Sequence, residues 1–382
     1  LRKKLYVIAD IRAGGTPSRN NPDYWNGNIP WVKISNINGK YVTTYDETIT
    51  ELGLKNSSAK LFEKETILYT IFATLGRVGI LQFDATTNQA IAGIKIKDNS
   101  ISTDYLYYYL RSLENYVKDI GNGAAQQNIN QTILKNFTVP VISKEKQNQI
   151  CSELENIENV LLKKQHDLAS LDELIKSRFI EMFGDPNFND KNWDRLQIRD
   201  IGECVAGATP STKVNEYWEN GTISWLSSGE VHKRRIYSTD SKITQSGYDH
   251  ASTKMVPAHT VLLAMAGQGK TRGTAAMAEI PLCTNQSICS IVNNEKINPE
   301  YLMEYLTLEY NELRSASNGG EGRGGLNLKI IGDFPINVPP INLQNEYAEF
   351  IKQIDKSKFI VQKEIKDLQE LLDKKMDEYF GQ

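Results

Sequence analysis

Between residues 144 and 183 a stripe of apolar residues runs through Ile150, Leu154, Ile157, Leu161, Leu168, Leu171 and Ile175. Its steps alternate four and three, the heptad seam of a coiled coil. Lys164 holds the one seam position that interrupts it. Residues 341–382 repeat the stripe with Ile351, Ile354, Val361, Ile365, Leu368 and Leu372, interrupted by Lys358. The two seams superpose at an offset of 197 (354 − 157). From Ile150 to Arg178 the first seam is about 43 Å long at the helical rise per residue. A stripe this narrow needs a partner helix, and the second helix of the same chain supplies one. Run antiparallel, the pair would have an approximate two-fold axis with a domain at each end of a rod. The two lysines weaken the pair locally and can fix its register. The alternative is that each helix packs on its own globular domain.

Outside the long helices the periods are shorter. Residues 66–72 and 260–265 are β-like runs that end in glycine-rich loops. Residues 31–35 and 224–227 read as short strands after the Asn-Gly turns at 26–27 and 220–221. Residues 104–118 read as one amphipathic helix with Tyr105, Leu106, Tyr109, Leu110, Leu113, Tyr116 and Val117 on a single face. Its mate is 299–313. The tyrosines there fit core and seam better than base-stacking platforms.

These elements recur because the sequence does. AGGTPSRNNPDYWNGNIPWVKIS (13–35) returns as AGATPSTKVNEYWENGTISWLSS (206–228). Thr16 and Thr209 are 193 apart (209 − 16), as are Trp25 and Trp218 (218 − 25), whereas Trp31 and Trp225 are 194 apart (225 − 31). Residues 66–83 then match 260–277, Asn88-Gln89 matches Asn285-Gln286, and Asn122-Gly123 matches Asn318-Gly319. The period is half the chain, far longer than a solenoid unit, so a domain has been duplicated. Four segments follow: a strand-rich domain at 1–143, a helix at 144–183, a second such domain at 184–340 and a helix at 341–382. The fold class is α+β, with two tandem strand-rich α/β domains each followed by a long helix.

At 382 residues, with 40% apolar and 24% charged positions, the composition is that of a soluble globular protein. No apolar run approaches ~18 residues and no charged segment precedes a short apolar one, so neither a membrane span nor a secretory signal is expected. The chain is expected to be cytoplasmic. Cys151, Cys204, Cys283 and Cys289 form no C-x-x-C pair and read as small buried hydrophobes in a reducing compartment. Four histidines and no His/Cys cluster argue against zinc. The net charge of −3 counts against a chain that binds nucleic acid tightly by itself, but leaves room for basic residues gathered on one face or for partners that supply the rest.

The repeated Gly-x-Thr-Pro-Ser segments are turns with exposed hydroxyls, in which Ser18 and Ser211, with Lys213 nearby, are candidate phosphate contacts. The stretch 264–271 ends like a P-loop but lacks its first glycine and the following helix, and the first copy has no Lys-Thr there. It reads better as a variable loop, carrying Arg77 in one copy and Gln268, Lys270 and Arg272 in the other. The loops after the Asn-Gly pairs behave alike, with Gln126 and Gln127 against Arg323. So do the strand ends, with Lys33, Ser35 and Asn36 against Ser227, Ser228 and Lys233. Arg, Lys, Gln and Asn are the side chains that read base edges. Each loop alone could equally be a solvated turn. Together they show one frame written twice with different polar loops. No repeated Ser/His/Asp set occurs, and no Asn-Pro-Pro-Tyr of an adenine methyltransferase. Asn337-Val-Pro-Pro-Ile341 is a strand-to-helix turn.

In order, and twice over, these motifs resemble the specificity (S) subunits of Type I restriction-modification systems. The carriers are Gly14-Gly15-Thr16-Pro17-Ser18, Tyr24-Trp25, Pro30-Trp31, their second copies, and the Pro-Val-Ile-Ser-Lys-Glu-Lys-Gln (140–147) and Pro-Pro-Ile-Asn-Leu-Gln (339–344) entries to the helices. The resemblance implies two target recognition domains, each reading half of a split DNA sequence, joined by two antiparallel helices that set the gap. It implies two methyltransferase (M) subunits that bring S-adenosylmethionine and methylate adenine N6, restriction (R) subunits joining through them, and a chain that is itself non-catalytic and cofactor-free. On that view Arg77, Lys270, Arg272 and Arg323 would contact guanines or phosphates, and Gln126, Gln127 and Gln268 adenine edges. The alternatives are a stand-alone binder or anti-restriction decoy of the same fold, and an enzyme with its site between the domains.

Overall fold

A computed structural model describes residues 1–122, 129–267, 269–317 and 325–381. The chain divides into two units: Leu1–Gln165 with Lys363–Gln382, and His166–Gln362.

In unit 1 a five-stranded sheet runs in the order Ala9–Ala13, Ile91–Ile96, Ile67–Thr70, Val78–Leu81, Tyr41–Val42, antiparallel except for the last pair. Alternation along its central strand feeds two cores. Ile67 and Tyr69 pack with the tyrosine-rich helix Thr103–Ser112, while Leu68 faces Val32, Ile37, Phe62 and Leu81. That helix starts where Ser102 accepts a hydrogen bond from the Tyr105 amide. Tyr105, Tyr108 and Tyr109 are buried, as core residues. A smaller sheet, Glu47–Ile49, Trp25–Val32 and Thr86–Thr87, covers the flank. Asn26-Gly27 is not a turn before this strand but a bulge within it, since both Trp25 and Ile29 pair with Ile49.

Unit 2 repeats the plan. Its five strands are Gly202–Ala206, Ile288–Asn293, Val261–Ala264, Ala275–Ala278 and Arg235–Ile236, and its smaller sheet has four. Ile67 pairs with Ile80, whereas Val261 pairs with Met277. The straight match of 66–83 to 260–277 is therefore out of register: the connecting loop spans 71–77 in one copy and 265–274 in the other, three residues longer (10 − 7). The helix expected over 104–118 is interrupted at Leu113, and its mate at Glu309. The glycine-rich loop presses on both breaks. A side chain at Gly76 (φ +80°) would lie 3.1 Å from the Glu114 Cα, and one at Gly273 (φ +87°) 3.2 Å from the Arg314 side chain.

The long helices are Lys144–Phe183 and Ile341–Phe380. Within unit 1 the central helix meets the C-terminal one through Glu153–Lys375 (3.0 Å) and Lys164–Glu364 (2.7 Å). Within unit 2 it does so through Asp172–Lys358 (2.5 Å) and Arg178–Glu346 (3.1 Å). Numbers rise on one helix as they fall on the other, so the pairing is antiparallel in each unit. All thirteen seam residues are buried or half-buried. Helix pairing and packing on a domain coexist. Leu372, Met376 and Phe380 enter the unit 1 core, and Phe179 and Phe183 stack among Tyr301, Tyr305 and Tyr347 in unit 2. Among the described residues no helix is long and apolar enough to cross a membrane.

Candidate nucleic-acid interface

The five-stranded sheet of unit 1 brings the segments that carry Ser18 and Arg77 to one end. Ala13 pairs with Ala92, Thr70 with Ile91 and Tyr69 with Val78, so the segments leaving Ala13, Thr70, Val78 and Ile91 emerge side by side. Backbone bonds tie their bases: Gly14 N to Ile91 O (2.9 Å), Ile71 N to Ala90 O (2.8 Å) and Ile129 N to Ile71 O (3.1 Å). The last bond sets Ile129 beside the start of the Arg77 loop. The turn after Val32 joins them through Asn88 N to Val32 O (3.4 Å). In unit 2 the same roles fall to Met265 N to Ser287 O (2.8 Å), Leu326 N to Met265 O (3.1 Å) and Asn285 N to Leu226 O (3.0 Å).

The repeated residues build the frame beneath these loops. The Trp25 indole N–H donates to Ser18 O (3.1 Å) and that of Trp31 to Gly15 O (3.1 Å). Trp218 and Trp225 do the same for Ser211 O (3.2 Å) and Ala208 O (3.0 Å). Each tryptophan pair meets edge to face with centroids 5.1 Å apart. Thr16 donates to Gln89 Oε1 (2.5 Å) and Thr209 to Gln286 Oε1 (2.6 Å). Any side chain at Gly14 or Gly207 would collide with Thr87 or Thr284. The motif thus pins the loop from inside, leaving the side chains of Ser18, Ser211 and Lys213 exposed.

The variable positions divide. Ser35 and Lys270 are exposed, while Arg77 and Arg272 are half-buried. Arg77 reaches the Ile34 carbonyl (3.5 Å) and lines a cleft with Lys40, Arg111 and Glu158. The Lys270–Arg272 loop is braced by helix Tyr310–Ala316: Tyr310 donates to Lys270 O (2.9 Å) and Arg314 to Gly269 O (2.8 Å). Asn36 is turned inward, where its side-chain oxygen accepts from Lys33 N (2.9 Å). Glu230 closes the equivalent turn by accepting from Ser227 N (3.1 Å), with Ser228 half-buried behind it. Lys33 is held by Glu47 (2.9 Å) and Asp46 (3.4 Å), and Lys233 by Glu230 (2.9 Å) and Asp240 (2.7 Å). The hydrogen bond to Glu47 raises the Lys33 pKa and in turn lowers that of Glu47. Both ammonium groups are thus engaged by acidic partners within the domain. Gln126, Gln127, Gln268 and Arg323 lie outside the described residues.

Sequence reasoning missed Arg19. Its guanidinium lies 3.6 Å from the Trp25 ring centroid and 2.6 Å from Glu47, at the loop surface. The signal was its place after Ser18 in front of two tryptophans, where the second copy has Thr212.

A strand-rich domain built twice, each copy presenting different loops on one frame, defines a duplicated recognition scaffold. The chain belongs to the Type I restriction modification DNA specificity domain family, which matches residues 3–171 and 190–370, and its role is that of a specificity subunit, a DNA-recognition component of a restriction-modification complex. It is 26% identical over 329 residues to the Type I restriction enzyme MjaIX specificity subunit of Methanocaldococcus jannaschii, covering 81% of this chain and 75% of that one. To the EcoR124I/EcoR124II specificity subunit of Escherichia coli it is 23% identical over 312 residues, covering 80% and 76%. The fold is shared with the S subunit from M. genitalium (TM-score 0.57, 14% identity, 98% and 94% covered). It is also shared with a chain solved in work on type I complex assembly and conformational transition (TM-score 0.65, 15% identity, 100% and 97% covered).

Proposed function

We propose that each unit reads one half of a split, asymmetric DNA site through the loops at the end of its five-stranded sheet. The observation that carries this is the tryptophan-pinned frame, repeated bond for bond beneath loops whose polar residues differ. Arg77, Lys270 and Arg272, with Arg323, contact guanines or phosphates, and Gln126, Gln127 and Gln268 adenine edges. Ser18, Ser211 and Lys213 contact the backbone. The antiparallel helices set the gap and dock two methyltransferase subunits. Those subunits hold S-adenosylmethionine and methylate adenine N6, and restriction subunits join through them. The chain itself carries out no chemistry, needs no cofactor and works in the cytoplasm.

The test is methylome sequencing of a host carrying the chain with its neighbouring methyltransferase, against a host lacking the chain. A new split motif with methyladenine in both halves is expected, and exchanging residues 1–143 changes one half alone. No new motif, or a change in both halves, defeats the reading.

A further inference from the structure

We propose that Lys40 and Arg235 are positioning residues that fix each recognition domain on the long helices and so restrict the gap allowed between half-sites. This rests on the reading of a split site given above.

Lys40 precedes the edge strand Tyr41–Val42 and is 11% exposed. Its ammonium meets Asp104 at 2.9 Å and Glu155 at 3.1 Å. Asp104 lies in the first turn of helix Thr103–Ser112, and Glu155 on the central helix. One cation therefore joins sheet edge, domain helix and long helix. In unit 2, Arg235 opens the edge strand Arg235–Ile236 and is 16% exposed. It grips Glu300 with two bonds (3.0 and 2.8 Å) and meets Asp355 at 2.7 Å. Glu300 lies in the first turn of helix Pro299–Leu308, and Asp355 on the C-terminal helix.

The node recurs with its domain-helix acid in the same place, Asp104 and Glu300 each being the second residue of its helix, while the cation and the long-helix acid move. The strand registers match Arg235 to Tyr41, one position past Lys40 (Tyr41 pairs with Ile80, Arg235 with Met277). The long-helix acids differ too: the repeat mate of Glu155 is Lys352 (155 + 197), and that of Asp355 is Glu158 (355 − 197). The second node thus engages its helix three residues further on, about 4.5 Å at the helical rise. Chemistry kept while positions drift marks a requirement on geometry rather than on a residue. The apolar cores between domain and helices are non-directional, whereas these hydrogen-bonded ion pairs are directional, as are the bonds of Tyr108 and Arg111 to Glu158 on the central helix. Burial works to lower the Lys40 pKa, but its bonds to Asp104 and Glu155 raise it overall, so the cation persists throughout the working pH range.

The experiment sequences the methylomes of hosts expressing the methyltransferase with wild-type chain, K40M, R235M, K40R or R235K, scoring sites whose gap is one base pair longer or shorter. K40M and R235M keep an apolar stem and remove the charge. Each is expected to raise methylation at altered gaps by about fivefold relative to the parental gap, the scale of losing one partly exposed ion pair. The half-site sequences stay unchanged, K40R restores the parental gap, and R235K, which keeps the charge but loses the two-bond grip on Glu300, restores it in part. Two results overturn the proposal: K40M keeping a strict gap at full methylation, or losing methylation equally at every gap with a lower Tm of the complex. If the wild-type chain yields no split motif, the underlying reading falls instead and takes this one with it.

Discussion

Gln147 and Gln344 show how a repeated polar residue can be wholly structural. Each is buried, donates to the carbonyl just before its long helix (Ile142 O at 2.9 Å, Pro339 O at 2.7 Å) and accepts from a domain-helix cap (Ser102 N at 2.9 Å, Asn298 N at 2.7 Å). What differs between copies is harder to interpret from sequence. Lys33 looked like a reading residue because its partner Glu47 stands 14 positions away, beyond any local pattern, whereas Lys233 has a local partner, Glu230, three positions away as well as Asp240 seven away. Leu113 and Glu309 differ as well, at the same helix break. Glu309 is 94% buried (6% exposed), and its Oε1 has no hydrogen-bond partner among the described residues. Burial, with Glu312 and Asp185 nearby, raises its pKa to about 7. The folded state therefore holds a proton that the unfolded chain releases above pH ~4.5, so the contribution of this one group is fully present at low pH and is lost as pH rises through 7. Glu309→Leu is expected to stabilise the chain by roughly 1–3 kcal/mol at pH 8 and much less at pH 5. Thermal melts at both pH values check this, and an equal gain at both would assign the effect to packing. Arg77→Ala is expected to weaken discrimination in one half-site only, by about 1–3 kcal/mol if the arginine grips its base with two hydrogen bonds. Binding to DNAs altered in one half at a time measures it, and equal weakening in both halves contradicts it.

At the scale of elements, the long helices were legible because a seven-residue repeat constrains one face over many turns. The sequence could not say which half of each helix a domain claims, because Phe179, Phe183 and Phe380 become core only through partners more than a hundred residues distant. The glycine-rich loop misled for the opposite reason. A pattern of small and apolar residues aligns without a gap, and only strand register reveals the three added residues (10 − 7). Lys164 and Lys358 interrupt the seam, yet each bonds an acid across the pair, Glu364 at 2.7 Å and Asp172 at 2.5 Å. Such pairs favour one register at a cost in stability. Replacing both lysines with leucine is expected to raise stability by roughly 1–3 kcal/mol. A lower Tm for the double variant would show instead that the ion pairs outweigh an unbroken apolar seam.

For the molecule as a whole, the balance of charge decides how recognition is shared. Sequence-independent affinity for DNA comes from neutralised phosphates, yet the chain carries a net charge of −3, and many of its basic side chains are paired with acids. Base-reading loops on such a surface can discriminate between sequences without holding the duplex firmly. On the proposed reading, the clamping charge comes from other subunits. Salt dependence separates the two contributions, because each phosphate contacted adds about −0.9 to the slope of log K against log salt. The chain alone is expected to bind its target weakly and with a shallow slope. With the methyltransferase subunits the slope should steepen by about 3 or more, one unit for roughly every phosphate they add. The ratio between target and mismatched DNA should change far less, because the reading loops are the same in both cases. Titrations of target and mismatched duplexes across a salt series, with and without the methyltransferase, measure both quantities. A slope already steep for the chain alone would mean that its own surface holds the backbone, and the partners would then be needed for chemistry rather than for grip.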